Sequence, residues 1–219
     1  MLTVNNLSEQ SSIVHQLLTE LRDVTIQHDR YRFRKNIERF GMIAAYEISK
    51  SLEYHTVDTQ TPLAKTQTQI LANQPVIATV LRAGLPLQNG VNQLFNQADL
   101  AYISAYRKHI SELKFKIVVE YLACPDLTNR VLILTDPMLA TGQSLVLTLE
   151  QFLTRGRPSH IHIVSVIGSP EGIEYLEKNS TACTLWIGAI DEKLDDHGYI
   201  IPGLGDAGDL SFGQKMDPS

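Results

Sequence analysis

The segment 131–144, VLILTDPMLATGQS, combines groups that can bind a phosphorylated sugar. An apolar run at 131–135 is followed at once by Asp136 and then by a turn of small residues that opens a helical pattern. Free backbone N–H groups and the helix dipole at such a turn favour an anion, and the hydroxyls of Thr141 and Ser144 add donors. Asp136 is an acceptor, so it suits ribose hydroxyls rather than a phosphate. The spacing matches neither a Walker sequence nor a GxGxxG turn, and helix capping alone is the alternative explanation.

Two arginines stand at comparable points of the chain, directly after apolar runs. Arg82 lies in LRAG at 81–84, and Arg107 follows the run that ends at Tyr106. A guanidinium beside a glycine, which lets a ligand approach the backbone, can hold a polyphosphate. An ordinary surface arginine next to a turn is the alternative for Arg82.

The third segment with unusual chemistry is 197–213, HGYIIPGLGDAGDLSFG, which holds five of the 13 glycines. This glycine density argues against a helix and weakens a strand. It predicts a loop whose backbone lies close to a flat ligand and contacts it with main-chain N–H and C=O groups. A flexible tail is the alternative, but Tyr199, Ile200 and Phe212 are large apolar residues that disordered tails seldom contain.

Short apolar runs must position these three segments. The runs lie at 76–81, 100–106, 117–121, 131–135, 161–167 and 184–187, with helical patterns at 86–97, 144–155 and 170–178 and two further amphipathic stripes at 13–21 and 37–52. Strands that alternate with helices predict right-handed βαβ units, and continuous apolar runs predict parallel strands covered on both faces. Ser169 and Pro170 have the types expected at the N-cap and first position of a helix. Ligands bind beyond the carboxyl ends of such strands, where the first two segments and Arg107 lie.

Composition and charge narrow the class of protein. The 219 residues carry 19 Lys+Arg and 24 Asp+Glu, a net charge of −5, which argues against a protein that coats nucleic acid. Two cysteines are too few for a disulfide scaffold. We find no bilayer-spanning apolar stretch, signal peptide, repeat or linker. The sequence therefore predicts one soluble cytoplasmic domain, without membrane or nucleic-acid partners.

Several other clusters have two explanations each. The basic segment 30–39 predicts either a solvated helix start or a phosphate or partner contact. His160 and His162 share one face of a predicted strand, either as hydrogen-bonded or solvent-facing side chains or as a metal pair. Cys124 and Cys183 are interpreted as packed thiols.

Together the segments resemble the uracil phosphoribosyltransferases, which are type I phosphoribosyltransferases. The resemblance covers essentially the whole chain, and its most specific strings are DPMLATG at 136–142 and YIIPGLGDAGD at 199–209. It implies an α/β fold, an open, mostly parallel sheet flanked by helices, with a small hood over the carboxyl ends of the strands. It also implies one domain over 1–219, in which N-terminal helices and the C-terminal base-binding loop form the hood.

The resemblance further implies an activity and its residues. The reaction is uracil plus 5-phosphoribosyl-1-pyrophosphate (PRPP) giving UMP and pyrophosphate, with Mg²⁺ accompanying PRPP, no direct protein ligand to the metal, and a homodimer or higher homo-oligomer. The implied catalytic residues are Asp206, Arg82, Arg107 and Asp136. The implied PRPP contacts are Arg82, Arg107, Asp206 and the segment Asp136, Pro137, Met138, Leu139, Ala140, Thr141, Gly142, Gln143 and Ser144, and the implied uracil contacts are Ile200, Gly205, Asp206 and Ala207.

The chain departs from the family pattern at a few positions. Gln143 stands where the family usually has glycine, which strains the backbone if the position needs a positive φ and is harmless if it is helical. The stretch after Arg107, KHISELKF, lacks the family's acidic pattern, and Leu210–Ser211 replaces a pair that often carries a basic residue. The competing functions are an RNA-responsive regulator on the same scaffold, a non-catalytic nucleotide sensor, and a transferase for another base.

Overall fold

The structure is a computed structural model that describes residues 1–111 and 114–215, with the side chains of 105–119 outside the description. Helices and strands alternate along most of this length. In chain order the elements are β1 (Leu2–Asn6), α1 (Ile13–Arg22), α2 (Arg30–Ser49), β2 (Tyr54–Gln60), β3 (Lys65–Leu71), β4 (Val76–Val80), α3 (Leu85–Leu94), β5 (Asp99–Ser111), β6 (Lys114–Ala123), β7 (Val131–Thr135), β8 (Met138–Leu139), α4 (Gln143–Leu153), β9 (His160–Gly168), α5 (Pro170–Asn179), β10 (Cys183–Ile190), β11 (Lys193–Leu194), β12 (Ile200–Ile201) and α6 (Ala207–Phe212).

The central sheet is mostly parallel, which confirms the predicted fold class. Its strand order is β1-β10-β9-β7-β4-β5-β6, and β8 pairs with β9. The strand pairs from β1 to β5 and the β8–β9 pair are parallel, whereas β6 runs antiparallel to β5. β4 and β7 are neighbours in the middle of the sheet, and successive strands are added in opposite directions from them. From β4 the chain continues outward to β5, and from β7 it continues to β9 and β10 on the other side.

Helices cover both faces of the sheet, as the continuous apolar runs predicted. On one face α1, α2 and α3 bury residues such as Leu21, Ile37 and Leu87 against Ile77, Ile133 and Val166 of the sheet. On the other face α4 and α5 contribute Leu149, Phe152 and Leu176 to a second cluster. Apolar burial of this kind is the main term that stabilises the sheet.

Local signals explain where several helices begin. The side chain of Ser169 accepts a hydrogen bond from Gly172 N at 2.9 Å, and Pro170 is the first residue of α5, as predicted. Asp29 caps α2 in the same way through Arg32 N at 3.0 Å. These caps satisfy donors that the first helical turn leaves without partners.

Among the strands longer than two residues, β1, β2 and β3 were absent from the sequence prediction, and β6 differs from it. The ribbon β2–β3 is rich in threonine and glutamine and largely exposed on both faces, so it has no apolar run to detect. β1 is a short edge strand with two exposed residues. β6 was expected to be parallel, but only two residues separate it from β5, and so short a connection permits only an antiparallel pair.

Among the described residues, no helix combines the length and the apolar character that crossing a membrane requires.

Candidate active site

The carboxyl ends of β4 and β7 meet at the point where the sheet's chain order reverses. The hydroxyl of Thr79 in β4 donates to the carbonyl of Thr135 in β7 at 3.2 Å, and the hydroxyl of Thr135 donates to Ala78 O at 3.0 Å. All three residues are buried. Open α/β sheets bind ligands in the crevice outside such a reversal point. The loops after β4 and β7, which carry Arg82 and Asp136, therefore flank this crevice.

The segment after β7 forms a turn that ends on the amino terminus of α4. Asp136 Oδ1 accepts a hydrogen bond from Met138 N at 3.4 Å, and the Pro137 carbonyl accepts from the backbone N–H groups of Val166 and Ile167 at 3.0 and 3.1 Å. No side chain caps α4 at Gly142. The predicted phosphate-binding turn thus lies at the N-terminus of a helix, where the helix dipole favours an anion.

The backbone conformations of Gly142 and Gln143 show whether glutamine at position 143 strains the turn. Gly142 has φ +74°, a left-handed conformation that favours glycine, whereas Gln143 is the first residue of the helix α4. Gln143 therefore carries no backbone strain, and the harmless interpretation of this departure is confirmed.

The start of α5 packs against this turn. The sequence analysis did not predict this contact. Ser169 Oγ donates to Ala140 O at 2.7 Å, and a Cβ added to Gly172 would lie 2.2 Å from the same oxygen. A Cβ on Gly142 would in turn lie 2.7 Å from Gly172 O. Only glycines permit this close approach, so the string Ser169–Gly172 holds the turn as well as capping a helix. The sequence signal was present in SPEG but was interpreted only as a helix start.

The loop after β4 presents Arg82 to solvent. The peptide bond between Leu81 and Arg82 is cis. The guanidinium of Arg82 donates from Nη2 to Asp209 Oδ1 at 3.2 Å, and its side chain is 42% exposed. A Cβ on Gly84 would lie 2.1 Å from Thr79 Oγ1, so glycine is required where this loop turns over the strand ends. The structure thus places Arg82 at the crevice, in contact with the C-terminal segment.

The C-terminal segment folds into a hairpin, a turn and a short helix. β11 and β12 pair antiparallel, and the Ile201–Pro202 bond that follows is cis. The side chains of Ile200, Leu204 and Ala207 are buried in the core. Because these three side chains are buried, only their main-chain groups are available to a ligand, whereas the side chain of Asp206 is exposed.

The prediction that no helix forms between 197 and 213 is wrong for its last part. α6 spans Ala207–Phe212 and contains one glycine, Gly208, since the other glycines of the segment lie outside it. The carboxylate of Asp206 caps α6 by accepting from Asp209 N at 2.9 Å, and Gly213 ends it with φ +91°. A cap at each end is enough to stabilise one helical turn here.

The three segments singled out in the sequence meet at the same edge of the sheet. A Cβ on Gly198 would lie 3.7 Å from Thr141 Cγ2, and a Cβ on Gly208 would lie 3.8 Å from Ala83 Cβ. The Arg82–Asp209 contact links the second and third segments directly. The prediction that Arg107 directly follows a strand is wrong, because β5 continues to Ser111 and Arg107 lies within it. The side chain of Arg107 lies outside the described part of the chain, so its predicted contact with pyrophosphate remains a prediction.

A cavity of about 350 Å³ opens where α6 begins. It is bounded by the turn before α6, by α6 itself and by the start of α2: Gln27, His28, Arg30, Gly205, Asp206, Asp209, Leu210 and Gln214. The cavity therefore contains Gly205 and Asp206, two of the residues predicted to face the substrates.

The basic segment 30–39 is largely engaged in contacts within the protein. Its partners are Glu20 for Arg32, the carbonyl of Ser211 for Arg34, Glu38 for Lys35 and Asn36 for Arg39. The hydrogen bond from Arg32, followed by one from Asn36, lowers the pKa of Glu20 to about 2. These partners favour a structural role for the segment over a surface that binds nucleic acid.

A larger cavity, of about 630 Å³, lies at the opposite end of the sheet, where β7, β9 and β10 begin. Two histidines with hydrogen-bond partners line it. Trp186 Nε1 donates to His162 Nδ1 at 3.1 Å, and His160 Nε2 lies 2.9 Å from Thr184 Oγ1. Burial, followed by the nearby His160, lowers the pKa of His162 to about 4. His162 is therefore a neutral acceptor for the tryptophan.

His162 makes folding stability depend on pH. Its pKa rises from about 4 in the folded protein to its ordinary value of about 6.5 on unfolding, so the unfolded chain binds the extra proton between these values. We expect the free energy of unfolding to fall by about 2 kcal/mol, from this residue alone, as pH decreases from 7 to 4.5. Urea unfolding of the wild type and of His162→Asn measures it, and the variant should lose less stability over this range. The control is His55→Asn at an exposed position; identical pH dependence of wild type and His162→Asn would contradict the expectation.

Comparisons with known proteins agree with this geometry. A sequence model of the uracil phosphoribosyltransferase family matches residues 8–214. The uracil phosphoribosyltransferase of Porphyromonas gingivalis is 47% identical over 216 residues, which are 97% of this chain and 99% of the relative. Among solved structures, the AQ2163 protein of Aquifex aeolicus superposes with a TM-score of 0.85 at 27% identity, covering 96% of this chain and 98% of the other. A hypoxanthine phosphoribosyltransferase of Staphylococcus aureus shares the fold, with a TM-score of 0.50 at 11% identity over 90% of this chain and 94% of its own.

Proposed function

The chain belongs to the uracil phosphoribosyltransferase family, and on that premise we propose that it transfers the phosphoribosyl group of PRPP to uracil in the crevice beyond β4 and β7. The products are UMP and pyrophosphate. The observation that carries the proposal is the meeting of three segments, 81–84, 136–144 and 197–213, at the reversal point of the sheet. Each segment offers the chemistry that one part of this reaction needs.

The 5-phosphate and ribose of PRPP bind at 136–144. The phosphate accepts from backbone N–H groups at the start of α4, where the N-cap residue Gly142 has no side chain of its own, and the helix dipole favours its charge. The carboxylate of Asp136 at the end of β7 accepts from the ribose hydroxyls. Support for this assignment comes from the close packing of Gly142 against Gly172, which fixes the turn before substrate arrives.

The pyrophosphate of PRPP binds Arg82, with Arg107 as its second arginine by resemblance to the family. Arg82 is exposed at the crevice and already paired with a carboxylate, that of Asp209. Phosphate oxygens of PRPP replace this carboxylate as its partner, and the fork of the guanidinium suits two of them at once.

Uracil binds to the main chain of Ile200, Gly205 and Ala207 and faces Asp206. The buried side chains of Ile200 and Ala207 leave their N–H and C=O groups as the parts that can contact a base. Uracil has one N3–H donor between two carbonyl acceptors, and cytosine has an acceptor at N3. A backbone site built for uracil therefore leaves buried groups unpaired with cytosine, at about 1–3 kcal/mol each.

Transfer at the anomeric carbon passes through an oxocarbenium-like state, so the chain needs no nucleophile of its own. The crevice aligns uracil N1 with the anomeric carbon. Arg82 stabilises the charge that develops on the departing pyrophosphate. In this proposal the carboxylate of Asp206, which lines the cavity beside Gly205, faces PRPP and stabilises positive charge on the sugar.

Mg²⁺ accompanies PRPP in this proposal. Among the residues that the structure describes, no group of three or more His, Cys, Asp or Glu side chains could enclose a metal ion. The crevice offers the carboxylates of Asp136 and Asp206, and such hard oxygen groups suit a Mg²⁺ ion that is held by phosphate oxygens and waters. When bound, the ion neutralises charge on the pyrophosphate.

We also propose that α1, α2 and the C-terminal segment form a hood in one domain, that the protein is a homodimer or higher homo-oligomer, and that it acts in the cytoplasm. The hood is supported by the contacts of 197–213 with Thr141 and Ala83.

Oligomerisation is supported by the β2–β3 ribbon, which pairs with no other described strand and exposes Leu63, Tyr54 and Ile70. An isolated two-stranded ribbon is only marginally stable, so a partner surface would stabilise it. Free Cys124 and Cys183 suit a reducing compartment.

The activity itself is the first test. Purified protein with uracil, PRPP and Mg²⁺ is expected to form UMP, which chromatography with ¹⁴C-uracil measures. Cytosine and hypoxanthine should react at least 100-fold more slowly, because the unpaired groups described above cost a few kcal/mol in all. Absence of UMP would refute the proposed function, and equal rates with cytosine would refute the main-chain uracil site.

A further inference from the structure

A closed set of hydrogen bonds joins the turn that follows β12 to α1 and to the end of β10. Asp191 Oδ2 accepts from Gly203 N at 2.9 Å, and Arg22 Nη1 donates to Gly203 O at 2.8 Å. Arg22 and Asp191 are also paired with each other through two hydrogen bonds, of 2.8 and 2.5 Å. Both main-chain polar groups of Gly203 are thus held by charged side chains. We call Arg22, Asp191 and Gly203 the clamp.

The clamp is attached to rigid parts of the fold. Arg22 is the last residue of α1, whose apolar face is buried in the core. Asp191 follows β10, and its backbone N–H donates to Gly168 O at the end of β9 at 2.8 Å. The side chains of Asp191 and Arg22 are only 5% and 24% exposed, so water competes little with their hydrogen bonds.

Gly203 lies in the middle of the segment that presents main-chain groups to uracil in the proposed function. It has φ +65°, and a Cβ on it would lie 2.1 Å from Ile200 O, so the chain turns back on the Ile200 carbonyl at this point. Gly205 follows two residues later with φ +91°. The positions of the Ile200 and Gly205 main-chain groups therefore depend on where Gly203 is held. Because the proposed uracil site consists of main-chain groups, no change of side-chain rotamer can compensate for a displacement of this turn.

On the premise of the proposed function, we propose that Arg22 and Asp191 are positioning residues that set the uracil site through Gly203. They touch neither substrate. They hold the turn between β12 and α6 at the spacing that the uracil N3–H and carbonyl groups require, and they leave the PRPP groups at 81–84 and 136–144 untouched. The clamp thus governs recognition of the base rather than of the sugar phosphate.

The test is a set of isosteric or charge-conserving variants with both Michaelis constants measured. Asp191→Asn keeps the shape of the side chain but loses the charge that pairs with Arg22, and Arg22→Lys keeps the charge but loses the fork that reaches two partners. For both variants we expect the KM for uracil to rise tenfold or more and the KM for PRPP to change less than twofold. Hydrogen–deuterium exchange of the segment 197–206 should become faster in the same variants.

A matched control exists at the opposite end of the sheet. Arg130 pairs with Asp99 and also donates to main-chain carbonyls, those of Gln74 and Pro75. Arg130→Lys and Asp99→Asn alter a more exposed Arg–Asp contact far from the crevice, and we expect both KM values to stay within twofold of wild type.

The outcomes separate the clamp from the proposed function. A wild type that forms no UMP defeats the proposed function, whereas an active wild type with an unchanged uracil KM in Asp191→Asn and Arg22→Lys overturns the clamp. Equal rises in both KM values, or a fall in kcat alone, also overturn it, since they indicate general loss of structure. If the single variants do not fold, the double variant Arg22→Met/Asp191→Leu removes both charges together, which buried pairs tolerate better than the loss of one. That double variant must show the same tenfold rise in uracil KM.

Discussion

Replacing Asp206 by asparagine is expected to lower kcat for UMP formation by 100-fold or more without unfolding the protein. Asp206 has a structural role that asparagine can also fill, because its Oδ1 accepts from Asp209 N at the start of α6 and asparagine is an equally good N-cap. In the proposed function, the substitution removes the negative charge that stabilises the reacting sugar. Loss of one preorganised electrostatic group in an active site typically costs 10²–10³-fold in rate, or about 3 kcal/mol.

The measurement is steady-state kinetics of Asp206→Asn alongside its melting temperature. We expect the free energy of unfolding to change by no more than about 0.5 kcal/mol, as for other surface substitutions that keep their hydrogen bonds. The control is Asp126→Asn, because Asp126 also accepts a main-chain N–H, that of Thr128, but lies in the loop before β7, away from the crevice. A wild-type kcat in Asp206→Asn would remove Asp206 from the catalytic residues, and a large loss of stability would show that its main role is the cap.

The sheet was predictable because its signal is local. The run 131–135 was predicted with the bounds that β7 has, and α5 begins at Pro170 as its cap residues indicated. Buried parallel strands consist of continuous apolar residues, so each appears in the sequence without knowledge of its neighbours. The ribbon β2–β3 fails this condition, since most of its side chains face solvent and its stability comes from pairing rather than from burial.

The short helix α6 shows where a compositional argument breaks down. Five glycines in 17 residues argue against a regular helix on average. A single turn, however, needs only a capping residue before it and a residue with positive φ after it, and Asp206 and Gly213 supply these. The position of glycines relative to the caps matters more than their number.

The crevice was predicted as a set of loops but not as a set of contacts. Residues 136–144 and 197–213 were each identified from their own chemistry, whereas the packing of Gly172 under Ala140 and the pairing of Arg22 with Asp191 join residues 32 and 169 positions apart. No spacing rule connects residues that meet only through the topology of the sheet. Contacts between residues so far apart in the chain are visible only in the three-dimensional structure.

Replacing Arg82 by alanine is expected to lower kcat/KM for PRPP by about 1,000-fold, with little change in stability. Removal of the guanidinium leaves the pyrophosphate without a charge-assisted partner both on binding and as it departs, so KM for PRPP and kcat suffer together. Among the described residues, the free protein loses the ion pair of Arg82 with Asp209, whose two side chains are 42% and 37% exposed respectively, and a long hydrogen bond to Gly213 O. Pairs so exposed contribute about 0–1 kcal/mol, and the melting temperature should therefore change by a few degrees at most.

Two further variants make the Arg82 result specific. Arg82→Lys keeps the charge but not the two-pronged geometry, so it should recover part of the activity, with a KM for PRPP between those of wild type and Arg82→Ala. Arg157→Ala removes an exposed arginine from the loop before β9, at the other end of the sheet, and should leave the PRPP dependence unchanged. An unchanged kcat/KM in Arg82→Ala would mean that the arginine after β4 is a surface residue and that the pyrophosphate is held elsewhere. Equal losses in Arg82→Lys and Arg82→Ala would instead show that recognition depends on the geometry of the guanidinium and not on its charge alone.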